Sequence, residues 1–285
     1  MIVVIGATGQ LGRRIVEQLL QRMPPDRIAA TTRDPAKAGA LAQAGVSVRH
    51  GDFVHPDTLR GAFADATQVL IVSSNAERIG QDPVAQHQAA IEAARAAGAR
   101  RIVYTSHMGA SPSSRFRPMQ AHARTEALLR DAGIAWTALR DGFYAWTVPP
   151  MVDDAVSTGV LAAPADGKVA WTTHDDLAAA AATVLADEGR FDGPTAPLTG
   201  TEALDLADIA SLLSGIHGRT IQRRVVADAA FAAGMQAKGA PAAVTEIMLG
   251  MYRAARAGEF ATTGATLAAL LGRAPGTLRA VLHRA

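Results

Sequence analysis

The sequence predicts an α/β protein built on a doubly wound parallel sheet. Three observations lead there. The chain opens on an apolar run, Met1 to Ile5, that passes directly into the glycine-spaced turn Gly6-Ala7-Thr8-Gly9-Gln10-Leu11-Gly12. Short runs rich in Val, Ile, Leu and Thr then alternate with helical patterns through the first half. Glycines and prolines punctuate the changes between them. Such alternation puts helices on both faces of a parallel sheet, the Rossmann-type arrangement.

The elements follow in order. Strands are expected at 2–5, 28–32, 46–49, 68–72, 101–105 and 135–139, with helices at 10–22, 35–44, 56–64, 83–97 and 118–132. In the first helix Leu11, Ile15, Leu19 and Leu20 share one face, and Arg13, Arg14, Glu17, Gln18 and Gln21 fall elsewhere. Asp34-Pro35 and Pro56-Asp57 precede helices, while Gly45, Gly98 and Gly133 follow them. After about residue 140 the rhythm breaks. Pro149-Pro150 and Gly159 bound a loop and a short helix, and a segment at 168–172 leads into an alanine-rich helix at 174–187. A strand near 195–199, a helix at 205–217, a strand at 221–226 and several C-terminal helices complete the chain. The expected division is a nucleotide-binding domain at 1–142 and a smaller C-terminal α/β substrate lobe at 143–285, interleaved with the main sheet.

Composition removes several function classes. A formal charge of +2 gives no electrostatic case for nucleic acid, and the arginines of the C-terminal stretch are scattered among alanines and leucines. The absence of cysteine removes disulfides, thiolate nucleophiles and cysteine metal sites together. No apolar run approaches a membrane span, and Met1 enters a strand without a basic, then apolar, leader. The expectation is a cytoplasmic protein with no metal, no membrane and a small-molecule partner, a homodimer being left open.

The candidate chemistry starts at the glycine turn. Gly6 makes the tight bend, Gly9 the close approach to a pyrophosphate, and Gly12 the close packing of helix on strand. The second strand ends Thr31-Thr32-Arg33, with no acid to hold ribose hydroxyls before Asp34. Arg33 is suited to a 2′-phosphate, or else it caps the strand end in solvent. Asp52 and Phe53 either frame an adenine or make an ordinary turn. Ser73, Ser74 and Asn75 after the fourth strand, and Thr105 and Ser106 on the fifth, are expected beside the cofactor. A Ser followed by Tyr-x-x-x-Lys, the usual alcohol-deprotonating set on this fold, is missing: no Tyr or Lys occurs between Ser106 and Arg140. That absence favours acceptors that are already electrophilic, or no catalysis at all. His122 faces the place of the missing base, as a proton source or a surface histidine. Phe143, Tyr144 and Trp146 offer a flat wall for a planar acceptor, or core packing.

The motifs GATGQLG, TTRDPAKAGAL, a strand ending YTS, His122-Ala-Arg-Thr125-Glu126, TALRDGFY and Asp166-Gly167-Lys168 resemble the NmrA-like, atypical short-chain dehydrogenase/reductase family, in its branch of quinone and triphenylmethane dye reductases. The resemblance implies NADP(H) binding, NAD(H) being the weaker alternative, with Gly6 to Leu11 on the pyrophosphate, Arg33 on the 2′-phosphate and Ser73 to Asn75 along the cofactor. It also implies hydride transfer to quinones or similar acceptors. The region 139–144, with Arg140 and Gly142, then approaches the nicotinamide, His122 and Tyr144 serve catalysis, and Asp141, Phe143 and Trp146 meet the acceptor. Relatives carry Asn-Gly-Trp-Tyr where this chain has Asp141-Gly142-Phe143-Tyr144, and Trp171 and His174 replace a small residue and an arginine. An ionised Asp141 facing the acceptor repels a developing hydroquinone anion and favours a cationic one. Part of the family senses NADP(H) without turnover, which is the alternative reading.

Overall fold

The computed structural model describes residues 1–284. The opening run forms β1 (Ile2–Ile5), buried along its length, and the glycine turn leads into α1 (Gln10–Leu20). Leu11, Ile15, Val16 and Leu19 are buried at helical spacing, so one face of α1 lies on the sheet. There follow β2 (Ile28–Thr32), α2 (Gly39–Gln43), β3 (Ser47–His50), α3 (Asp57–Ala62), β4 (Gln68–Ile71), α4 (Pro83–Ala96), β5 (Arg101–His107), α5 (Arg117–Asp131) and β6 (Ala135–Asp141). The helix expected at 35–44 divides into a 3-10 turn, Pro35–Ala38, capped by Asp34 through Ala36 N, and the short α2.

The second half contains β7 (Phe143–Tyr144), α6 (Val148–Thr158), β8 (Val160–Pro164), β9 (Trp171–Thr172), α7 (His174–Ala186), β10 (Gly193–Pro194), α8 (Leu206–His217), β11 (Gln222–Val226), α9 (Asp228–Ala237), α10 (Ala242–Arg256), α11 (Thr266–Leu271) and α12 (Leu278–Leu282). Pro149 and Pro150, expected in a loop, lie in the first turn of α6. Amides there have no helical acceptor, so proline costs nothing. The strand expected at 195–199 is displaced: β10 pairs at Gly193 and Pro194, and Leu198 makes only an isolated bridge to Asp141.

The seven-stranded sheet runs β10-β6-β5-β4-β1-β2-β3, every neighbouring pair parallel. Chain order reverses between β1 and β4, where a parallel sheet opens a crevice at its carboxyl edge. One face packs α1 against α7, with Leu177, Ala178, Ala181 and Leu185 meeting the α1 stripe. The other face buries Leu59 of α3, Phe63 just after it, Ile91 of α4 and Leu129 of α5. A further cluster gathers Phe116, Phe143, Trp171, Tyr252 and Phe260 beside the sheet edge. Each large side chain so buried contributes about 1.5–3 kcal/mol.

Two glycines set the entry to α1. Gly6 has φ +83°, a conformation that disfavours side chains. At Gly12 an added Cβ would overlap the carbonyl of Gly6, so helix and turn meet backbone to backbone. Gly12→Ala is expected to cost about 1–3 kcal/mol by forcing the turn away. Chemical denaturation checks it; a variant as stable as the parent would show that the turn relaxes freely.

Candidate active-site cleft

A cleft of about 750 Å³ opens at the carboxyl edge of the sheet. Its first half is walled by Gly6, Thr8, Gly9, Gln10 and Leu11, by Arg33, by Asp52 and Phe53, and by Ser73, Ser74 and Asn75. Its second half is walled by His107, Met119, His122, Phe143, Tyr144, Trp146 and His174.

The first half has the features of a dinucleotide cradle. Helix α1 begins at Gly9 with no side-chain cap and no acid in its first turn. Its leading N–H groups are therefore open to an anion, and the helix dipole favours one. Arg33 is exposed on the cleft wall. Asp34, the nearest acid, is spent on the cap of its own turn and lies off the wall. Asp52 Oδ1 accepts from Val54 N at 3.0 Å, so its carboxylate also shapes a turn while it lines the cleft. The residues fit a dinucleotide, and one with a 2′-phosphate better than one without.

Behind the wall, polar side chains hold the loop after β4. Thr105 Oγ1 accepts from Ser73 N at 2.8 Å, and His87 Nε2 accepts from Ser74 N at 2.9 Å. His87 also meets Thr125 Oγ1 through Nδ1 at 2.9 Å, and burial lowers its pKa to about 3. Ser106 donates to Glu126 at 2.6 Å, and Arg140 grips both oxygens of the same carboxylate at 3.1 and 2.7 Å. Thr105, Ser106, Arg140 and Gly142 thus stand behind the cleft wall, as does Ala7, which is fully buried in the core. Gly142 has its own reason: a Cβ there would overlap Thr172 Oγ1.

The second half is apolar and uncharged. His122 Nδ1 lies 2.8 Å from the Tyr104 hydroxyl, and burial lowers the His122 pKa to about 4. Burial holds His107 well below its usual value, and burial with nearby Arg14 lowers His174 to about 4. All three rings are neutral at neutral pH. Burial raises the Tyr144 pKa, so its hydroxyl keeps its proton. Tyr144 lies 4.4 Å from His174 with the rings tilted by 52°, and His174 also meets the edge of Trp146 at 5.9 Å.

Asp141 differs from the expectation of an ionised group facing the acceptor. It is 1% exposed, lies off the cleft wall, and neither carboxyl oxygen has a hydrogen-bond partner. Burial raises its pKa far above the usual value, so it is a neutral acid. His107, Met119 and Ile247 of α10 were missed by the sequence reading. His107 follows the Thr105-Ser106 pair at a strand end and had that positional signal; Ile247 is brought in by tertiary packing alone.

The comparisons with known proteins agree with this geometry. Residues 6–188 match a family model described as NAD(P)H-binding. Quinone oxidoreductase 2 of Escherichia coli (strain K12) is 35% identical over 279 residues, 98% of this chain and 96% of that protein. The chain belongs to the NAD(P)H-binding, NmrA-like family. Among solved members, the NADPH-dependent quinone oxidoreductase of Escherichia coli complexed with NADPH superposes with a TM-score of 0.93 at 34% identity, covering 100% of this chain and 99% of that one. The Citrobacter sp. triphenylmethane reductase complexed with NADP(H) gives 0.91 at 31% identity, with the same coverage. Among the described residues, no helix is long and apolar enough to cross a membrane.

The buried acid has a measurable consequence. Between the usual carboxyl pKa and its raised native value, the folded protein holds a proton that the unfolded chain has released. Asp141 therefore lowers stability as pH rises through that window, by about 1.4 kcal/mol per pH unit. Asp141→Asn removes this slope, so the variant should gain on the parent in chemical denaturation as pH rises above the usual carboxyl range. A constant difference as pH rises would mean that Asp141 is ionised when folded.

Proposed function

We propose that this chain is an NADPH-dependent reductase of quinones and similar activated planar acceptors, working in the cytoplasm on small molecules. The observation that carries the reading is the division of one cleft into two chemically different halves. An uncapped helix N-terminus and an arginine stand at one end, and a wall of aromatic and neutral side chains at the other. The names of the quinone oxidoreductase and triphenylmethane reductase relatives support the same acceptor classes.

Bound NADPH supplies a hydride. The chain's own residues do the rest. The glycine turn and the first N–H groups of α1 hold the pyrophosphate, and Arg33 forks onto the 2′-phosphate. Ser73 N donates to Thr105 and Ser74 N to His87, so the chain itself holds the loop that would run along the cofactor. Phe143, Tyr144 and Trp146 stack a planar acceptor and exclude water. His122, uncharged, donates a hydrogen bond to the acceptor's oxygen, and the Tyr144 hydroxyl is a second donor on the same wall. Neither residue abstracts a proton, which fits a chain without the Tyr/Lys pair: an acceptor of this class needs orientation and electrons, not deprotonation.

Loss of reduced-nicotinamide absorbance, followed with benzoquinones, naphthoquinones and cationic triphenylmethane dyes, tests the reading. NADPH should be preferred over NADH, and Arg33→Ala should lose about tenfold to hundredfold of that preference, corresponding to a charge-assisted contact of about 1.5–3 kcal/mol. Tight NADPH binding without turnover on any acceptor would make the protein a sensor instead.

A further inference from the structure

We infer that His107 and His122 form a pair of neutral imidazole donors that takes the carbonyl oxygen of the acceptor, tuning the cleft toward quinones over cationic dyes. This rests on the reductase reading of the cleft.

His107 ends β5, at the mouth of the crevice, with only 7% of its surface exposed. It is wedged edge-on between Phe143 at 5.2 Å and Phe260 at 5.7 Å. The amide of Gly109 donates to its Nδ1 at 3.2 Å. That nitrogen must then carry a lone pair, so the proton of the neutral ring sits on Nε2. Among the described residues nothing accepts from Nε2, and the ring lines the cleft.

The His122 ring lies 6.1 Å away, centroid to centroid. Its Nδ1 meets the hydroxyl of Tyr104, a side chain with no exposed surface. Among the described residues that nitrogen is the one partner of the buried hydroxyl, so the phenol satisfies its proton by donating to it, which leaves the His122 proton on Nε2 as well. No described residue accepts from that atom either. Two N–H groups without protein acceptors, on neighbouring rings of an uncharged, largely aromatic wall, are open to an acceptor from outside.

A carbonyl oxygen offers two lone pairs and can take both donors. A quinone that gains a hydride becomes a hydroquinone monoanion, whose negative oxygen the pair stabilises until water protonates it. Fixed donors aimed at developing charge in a dry site are a strong catalytic device. The imidazoles keep their own protons throughout. A cationic triphenylmethane dye takes the hydride at carbon and becomes neutral, with no oxygen charge to stabilise. The pair therefore separates the two acceptor classes.

The test uses the whole chain with a benzoquinone and a cationic triphenylmethane dye. His107→Phe keeps the ring packing and removes the donor; His107→Gln restores an N–H donor. The quinone-to-dye ratio of kcat/KM should fall about 100-fold in the Phe variant, with partial recovery in the Gln variant. Nitrogen-15 NMR of the unliganded parent should show both rings protonated on Nε2. His107 protonated on Nδ1, or a ratio unchanged in the Phe variant, would overturn the pair while leaving the reductase reading in place. Parent protein that reduces neither acceptor would overturn both.

Discussion

The buried carboxylate of Glu126 is the constraint on which the cleft depends. It is 3% exposed, and its charge is held by Ser106 of β5 and by a two-pronged grip from Arg140 of β6. An unpaired carboxylate at that depth would cost several kcal/mol, so the two strands and the helix have few arrangements open to them. Helix α5 also carries His122, one helical turn before Glu126, and Thr125, the residue before it, and these reach Tyr104 and His87. Main-chain atoms of Arg140 then bind Thr195 and Leu198, which fixes where the chain returns to the sheet. One ion pair thus sets helix, strands and returning segment together.

Electrostatics divides the cleft. Formal charge and helix dipole are confined to the half that begins at Gly6 and Arg33. Across from it, three histidines, a tyrosine and the acid behind them are kept neutral chiefly by burial, which makes ionisation too costly. Residue types usually read as charged are here dipoles and donors. The chemistry that suits such a surface is polarisation of a bound molecule rather than proton abstraction.

The parts of this structure that were legible in the sequence are those written in neighbouring residues. The β1–turn–α1 unit, the alternation down to β6 and the α7 helix follow from local periodicity and glycine placement. That Gly6, Arg33, Asp52 and Ser73 line one cleft was legible for the same reason, since strand-end residues must gather at one edge of a parallel sheet. What could not be read depends on distant partners. Strand β8 is short and alanine-bearing, and its partner β11 lies some 60 residues on. Asp141 reads as a cleft residue meeting the acceptor until Leu198 and its neighbours close over the end of β6. Thr105 and Ser106 sit on the right strand, but their side chains are spent on Ser73 and Glu126. Alternation along a strand shows which residues share a side, not which of them a neighbouring loop will claim.

The packing of α1 against α7 joins segments about 160 residues apart. During synthesis at roughly 5–20 residues per second, the apolar stripe of α1 waits on the order of 8–30 s for its partner to leave the ribosome. Until then Ile15, Val16 and Leu19 face solvent on one side of an incomplete sheet. The alanine-rich surface that finally covers them is small and smooth, so it docks without elaborate side-chain fitting. A nascent chain that ends before α7 is consequently exposed to chaperones and to aggregation, however complete its cofactor cradle.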